Sequence, residues 1–243
     1  MFAHSAEHDA AQSLSLTPLE TDLIPYSASL CLPARSVLVL APHPDDEVFG
    51  CGGAIARHVK NGHPVCVVIL TDGALYAEAN VRQRESVAAA QVLGYGTPEF
   101  WGFADGGLCY SDELARRLAD RIAQCGADLV YAPSPLEYHP DHQQTQLLAA
   151  EAVRRSAPDV RLACYEVGAP LRPNVLLDIT AELETKEAAM RCFASQQEHQ
   201  NYLGHIQALN FYRTYTLGAD VKSAEAFWVA RPSSRTDGLS SRT

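Results

Sequence analysis

Short apolar runs alternate with amphipathic segments from residue 37 to residue 229, and no other feature of the chain restricts its fold as much. Val37-Leu-Val-Leu40 is a run of strand formers. Val65-Cys-Val-Val-Ile-Leu70 is continuously apolar, as a strand covered on both faces requires. Leu129-Val-Tyr131, Leu162 to Val167, Val175 to Leu177 and Ala226 to Val229 read as further strands, and Phe100-Trp101 belongs to a short one. Between them the pattern predicts helices over Gly53 to Lys60, Val81 to Leu93, Asp112 to Cys125, Gln143 to Ser156 and Thr180 to about Glu198, with one more in 201–217. Asn61-Gly62, Gly94, Gly126 and Pro158 supply the stops, and Ser111 and Thr180 the caps. Strand–helix alternation at this spacing implies parallel strands joined by right-handed crossovers, an open three-layer α/β sandwich. In such folds the active crevice lies beyond the carboxyl ends of the strands, so a functional motif should directly follow a strand.

A chain of 243 residues accommodates one such domain. Residues 1–35 are rich in Ser, Thr and Pro with poor periodicity and read as an N-terminal arm. Residues 36–231 form the single predicted domain, and 232–243, rich in Ser, Arg, Thr and Gly, a flexible tail. The apolar share of 47% and charged share of 20% are those of a soluble globular protein. A net charge of -10 argues against nucleic acid as a partner. No stretch reaches the roughly 18 apolar residues of a membrane span, and the acidic start has no signal-peptide character. Seven widely spaced cysteines without a Cys-x-x-Cys pair point to reduced thiols and a cytoplasmic protein. Composition leaves the 9 histidines unexplained.

The first strand runs directly into Ala41-Pro-His-Pro-Asp-Asp-Glu47. A dinucleotide-binding fold needs Gly-x-Gly-x-x-Gly at this place; three carboxylates here would repel a pyrophosphate and favour a cation. Imidazole and carboxylate together suit zinc and its neighbours. His43 and Asp46 are three apart and can point to one side of a turn, which leaves Asp45 for another task. The plainer alternative is that the acids only complement a helix N-terminus. That alternative does not explain a histidine stiffened between Pro42 and Pro44.

A second cluster follows the strand at Leu129–Tyr131: Pro133-Ser-Pro-Leu-Glu-Tyr-His-Pro-Asp-His142. Either His139 or His142 can serve as a ligand, with Asp141 available to orient one of the rings. Across a parallel sheet the two loops can converge, giving the three protein ligands of a catalytic zinc. His4 and His8 lie in the arm and His58 and His63 flank a helix end; His199 and His205, around a helix junction, can line the crevice, with surface positions the default.

The two paired motifs resemble those of the LmbE-like or PIG-L superfamily of zinc-dependent de-N-acetylases. The resemblance spans roughly residues 36–230, with supporting matches at Arg82-Gln-Arg-Glu85, Asp105-Gly-Gly-Leu108, Lys186 and Ser195-Gln196. It implies a Rossmann-like sandwich without a dinucleotide site and one Zn2+ per chain. It further implies His43, Asp46 and His142 as metal ligands, Asp45 as general base, His139 as acid or electrostatic stabiliser, and Arg82 and Asp105 as contacts to the sugar or its anionic substituent. In one respect the chain departs from the pattern. Some relatives carry a tyrosine two residues before the first histidine of the second motif, where this chain has Glu137, with Tyr138 one residue later.

The implied activity is removal of an N-acetyl group from an N-acetylglucosamine-type sugar or glycoconjugate by metal-activated water. The competing readings are an amidase cutting a larger acyl or thiol conjugate, a zinc phosphoesterase, and an inactive sugar- or metal-binding relative. The absence of an extra bridging carboxylate cluster weighs against the phosphoesterase. A base beside a complete ligand set weighs against the mere binder. Tyr76, Trp101, Tyr110 and Tyr202 are candidates to stack on a sugar face, though core packing is the default for Trp101.

Overall fold

In the computed structural model, which describes residues 18–230, every residue of β1 (Val37–Ala41) is buried. Its side chains alternate between two cores: Val37, Val39 and Ala41 face one, Leu38 and Leu40 the other. This two-sided burial explains why the run is apolar without polar alternation. β2 (Val65–Thr71) and β4 (Leu129–Pro133) flank β1, both parallel to it. β3 (Glu99–Phe103) extends the sheet beyond β2 and β5 (Arg161–Tyr165) beyond β4, again in parallel. β6 (Val175–Asp178) and β7 (Ala224–Val229) complete a seven-stranded sheet of order β3-β2-β1-β4-β5-β7-β6, with β7 antiparallel to both its neighbours. The mostly parallel α/β fold read from the sequence is the fold observed. The chain moves outward from β1 on one side through β2 and β3, then returns to β4 on the other. A crevice opens at such a switch point, at the carboxyl ends of β1 and β4.

A short helix α1 (Glu20–Leu23) precedes the sheet. The other helices form two layers. α2 (Asp46–Lys60), α3 (Ala79–Leu93) and α6 (Leu183–Met190) pack together, while α4 (Asp112–Cys125) pairs with α5 (Pro140–Arg155). α4 has the bounds its sequence predicts, capped by the Ser111 hydroxyl and ended by Gly126 in the left-handed region. The helix predicted from Thr180 to Glu198 is instead a 3-10 turn (Thr180–Glu182), α6 and α7 (Ala194–Gln197); α8 (Tyr202–Tyr212) follows.

The largest difference is α2, which begins at Asp46 rather than Gly53. Its first turns hold Gly50, Gly52 and Gly53, which lower helix propensity and conceal the helix from its sequence. Gly50 has a packing reason: a Cβ there would meet the Tyr165 ring at 2.2 Å. The helix kinks at Cys51 (φ -143, ψ 25). Beyond the kink the freed amides of Gly53 and Ala54 donate to the buried Glu225 carboxylate at 2.7 and 2.8 Å. Lys186, also fully buried, donates to Glu225 at 2.7 Å, so neither charge is unpaired. α5 likewise starts three residues before its predicted start, at Pro140 in the first helical position.

Within the predicted arm, Ser29 pairs with the sheet: its N–H donates to the Leu176 carbonyl at 2.7 Å, and its carbonyl accepts from Asp178 at 2.9 Å. Residues 1–17 of the arm and the predicted tail from 232 lie outside the described residues. No helix among the described residues is long and apolar enough to cross a membrane. All seven cysteines are free thiols.

Candidate metal centre

The turn after β1 is held rigidly before any ligand is considered. Asp45 sits at φ 143, the one non-glycine with positive φ among the described residues, a conformation that costs energy for a residue with a Cβ. Its backbone is fixed on both sides: its N–H donates to Glu47 Oε2 at 3.1 Å, and its carbonyl accepts from Val48 and Phe49 at 2.9 Å each. Glu47 is itself fully buried and accepts from the Ser86 hydroxyl at 2.9 Å. Burial pushes its carboxyl up to about 7. The Asp45 side chain makes no capping bond to α2. It turns to Arg82, whose Nη2 donates to Asp45 Oδ2 at 3.0 Å and to the Pro44 carbonyl at 2.6 Å. The acids of this turn therefore do more than complement a helix end.

Asp46 gathers the histidines. Its Oδ2 lies 3.1 Å from His43 Nδ1 and 3.2 Å from His142 Nε2, and accepts the His43 backbone N–H at 3.0 Å. Around a tetrahedral ion with bonds of about 2.0–2.1 Å, neighbouring donors sit roughly 3.3 Å apart. The two separations at Asp46 match that spacing. The other His43 nitrogen, Nε2, faces Asp141 Oδ2 at 3.1 Å. Asp141 is locked in turn by the Gly106 and Leu108 amides at 2.7 and 3.1 Å. The ring Asp141 orients is therefore His43, on the opposite loop. Donor atoms of His43, His139 and His142 lie within 4.8 Å of one another, as do those of His43, Asp105, His139 and Asp141. The cluster can hold a metal ion.

Charge supports the same conclusion. Burial pushes the His43 imidazole down, but the carboxylates of Asp105, Asp141 and Asp46 outweigh it and hold the ring well above its usual value. Burial likewise opposes protonation of His142, and Asp46 overrides it, to about 9. Burial would raise Asp46, yet His142 and His43 bring it well below the carboxylate range. Two ring nitrogens facing one carboxylate need two protons or one divalent cation between them. The donor set suits the cation.

The remaining predicted residues divide. His139 borders the cluster, its ring 4.5 Å from that of His43, and it caps α5: its Nδ1 accepts the Asp141 N–H at 3.2 Å. That bond uses the Nδ1 lone pair, which favours the tautomer with its proton on Nε2. Burial together with the neighbouring His43 and His142 lowers its pKa. Asp105 lines the pocket, with Oδ2 accepting the Leu75 N–H at 3.2 Å and Oδ1 left without a well-formed hydrogen bond. Arg82 lines it as well; its Nη2 serves Asp45 and the Pro44 carbonyl, while its Nε is buried without a partner. Burial pushes the Asp45 carboxyl up to about 7; Arg82 restrains the rise and the Asp46 charge adds to it.

Two residues escape sequence reasoning. Glu47 reads as an ordinary helix-end acid, and only its burial shows that it braces Asp45. Glu137 is 2% exposed and closes the far side of the cluster; its place just before His139 was the one available signal. The pocket over these groups measures about 240 Å³, with Phe49, Leu75, Tyr76, Tyr138 and Tyr202 among its walls. Trp101 and Tyr110 are not among the residues that line it.

The chain is similar to known proteins in sequence and in fold. The PIG-L family profile, described as GlcNAc-PI de-N-acetylase, matches residues 38–153, which include both His-Pro-Asp turns. The chain is 31% identical to 4-oxalmesaconate hydratase of Pseudomonas putida, over 72% of this chain and 79% of that protein. It is 29% identical to diacetylchitobiose deacetylase of Thermococcus kodakarensis, over 67% and 70% of the two. Among solved structures it resembles a conserved protein of Thermus thermophilus, at 30% identity and a TM-score of 0.73, covering 86% of this chain and 99% of that one. The chain is an enzyme of the PIG-L family.

Proposed function

We propose that this chain removes the N-acetyl group from an N-acetylglucosamine-type sugar or glycoconjugate, using one zinc ion held by His43, Asp46 and His142. The observation that carries the reading is Asp45: a buried carboxylate beside the ligand set, outside it, and pushed up to about 7. A base poised near neutrality is what hydrolysis of an amide by water requires. A zinc ion in the cluster would supply Lewis acidity and a water whose pKa is brought to about 7. Asp45 takes the proton of the attacking water. Arg82 fixes that carboxylate and favours its ionised form. His139 donates from Nε2–H toward the oxygen that gains charge. Asp45 then passes its proton to the departing amine. The diacetylchitobiose deacetylase among the relatives supports this chemistry.

The competing reading is hydration of an unsaturated carboxylate, because the Pseudomonas relative is named as a hydratase. Asp45, Asp46, Asp105 and Glu137 line the pocket; Arg82 is the sole Arg or Lys among the described lining residues, and it is already paired. The volume of about 240 Å³ lies below the range usual for pockets that enclose a drug-sized ligand, so the pocket suits a small part of a substrate, such as one sugar ring. The catalytic unit is one domain over residues 36–231, and the seven free thiols fit a cytoplasmic enzyme. The test is acetate release from a panel of N-acetylglucosamine conjugates, with the protein as purified, stripped by a chelator and reloaded with zinc. Release that stops on stripping and returns with zinc is expected. A zinc-loaded protein that frees no acetate from any conjugate, or that hydrates an unsaturated carboxylate instead, would overturn it.

A further inference from the structure

Glu137 is a buried carboxylate with no role in the chemistry above, and its surroundings are unusual. Three consecutive amides beyond β5 converge on it: Val167 N–H at 2.7 Å and Ala169 N–H at 3.3 Å reach Oε1, and Gly168 N–H at 3.0 Å reaches Oε2. Its carbonyl accepts from Gln143 Nε2 at 2.8 Å. The carboxylate is thus fixed in place and its charge compensated by backbone, as in an anion-binding nest. Its nearest side-chain partner is His142, whose Nδ1 lies 3.5 Å from Oε2. That separation exceeds a well-formed N–H···O bond, and His142 Nδ1 is buried without another partner. The opposite ring nitrogen, Nε2, faces Asp46.

We infer that Glu137 is the positioning residue for His142: its carboxylate would accept a hydrogen bond from Nδ1–H, which leaves the Nε2 lone pair for a metal ion beside Asp46. This rests on the proposed reading of His142 as a zinc ligand. An imidazole that binds a cation through one nitrogen carries its proton on the other, and that N–H needs an acceptor. Glu137 is the acceptor within reach. The same carboxylate holds Val167 and Gly168, which line the pocket, so one group ties the pocket wall to a metal ligand.

The experiment measures zinc affinity of the full chain by competition with a chromophoric chelator, in the parent protein, Glu137→Ala and Glu137→Gln. Circular dichroism of the metal-free proteins checks folding. Glu137→Gln keeps the volume and covers the case in which the alanine variant does not fold. Folded Glu137→Ala is expected to bind zinc about 10–100-fold more weakly, and Glu137→Gln to fall between it and the parent. The zinc-loaded parent should also show a protected His142 Nδ1–H in its NMR spectrum, absent from the alanine variant. A role confined to holding the 167–169 segment would lower thermal stability and leave both readouts alone. A parent that binds zinc alongside folded variants of unchanged affinity overturns this inference by itself. A parent without zinc affinity overturns the metal reading as well.

Discussion

The two turns His43-Pro-Asp-Asp46 and His139-Pro-Asp-His142 differ in their last residue alone, yet their matching side chains reach opposite states. Of the two central acids, Asp45 is pushed up to about 7, chiefly by burial. Asp141 is buried too, but His43 and the amides of Gly106 and Leu108 bring it below its ordinary value. Of the two leading histidines, His43 lies between Asp46 and Asp141, whereas His139 gives its Nδ1 to the start of α5. The tripeptide does not decide these outcomes. Its surroundings do: on one side the burial of Asp45 and the charge of Asp46, which outweigh Arg82, and on the other His43 and the 105–108 turn. Pairs of carboxyl groups driven apart by their surroundings are how one fold obtains a base and a fixed anion from the same residue type.

Removing a ligand should have the largest effect. His142→Ala is expected to lose the metal and all acetate release; elemental analysis showing one zinc per folded chain would remove His142 from the ligand set. The matched pair Asp45→Asn and Asp141→Asn then tests the comparison directly. Asp45→Asn should retain zinc and lose about 10²–10⁴-fold in kcat, the range for a general base. Asp141→Asn should keep the base but release His43, with zinc affinity falling about 10–100-fold. Chelator competition and steady-state kinetics on both variants decide it. If the two lower the same quantity to the same degree, the turns are equivalent and the division of labour is wrong.

The fold and the convergence of the two loops were legible because they follow from periodicity and from strand-end placement, both properties of local sequence. β1, β2 and α4 fall where their residues predict. The start of α2 was not legible, because Asp46-Glu-Val-Phe-Gly-Cys-Gly-Gly53 has poor helix propensity and is helical through contacts with Tyr165 and Glu225 that are distant in sequence. The same distance limits the reading of the site. Sequence shows that Asp45, Asp46, His139 and His142 are present. It does not show that Asp141 serves the histidine of the other turn, that an α5 amide fixes the proton of His139, or that Glu137 stands behind His142. Each of these depends on a partner brought close by the sheet.

Arg82 gives the smallest effect and the sharpest test of a residue that sequence and structure place differently. The family resemblance implies that it contacts the sugar or its anionic substituent; in the fold its guanidinium holds Asp45. If it acts on Asp45, Arg82→Met removes a cation that favours the ionised carboxylate, so the Asp45 pKa rises further. A base works only when ionised. The ascending limb of kcat/KM should therefore move to higher pH, by about one unit for loss of an adjacent charge, and activity should recover on the alkaline side. Zinc affinity should not change, because the hydrogen bonds of Arg82 go to Asp45 and the Pro44 carbonyl and to none of the proposed ligands. If Arg82 instead binds substrate, KM rises at every pH and the limb stays where it was. A pH profile of the methionine variant distinguishes the two, and an unmoved limb would return Arg82 to the sugar and leave Asp45 to be tuned by burial and Asp46.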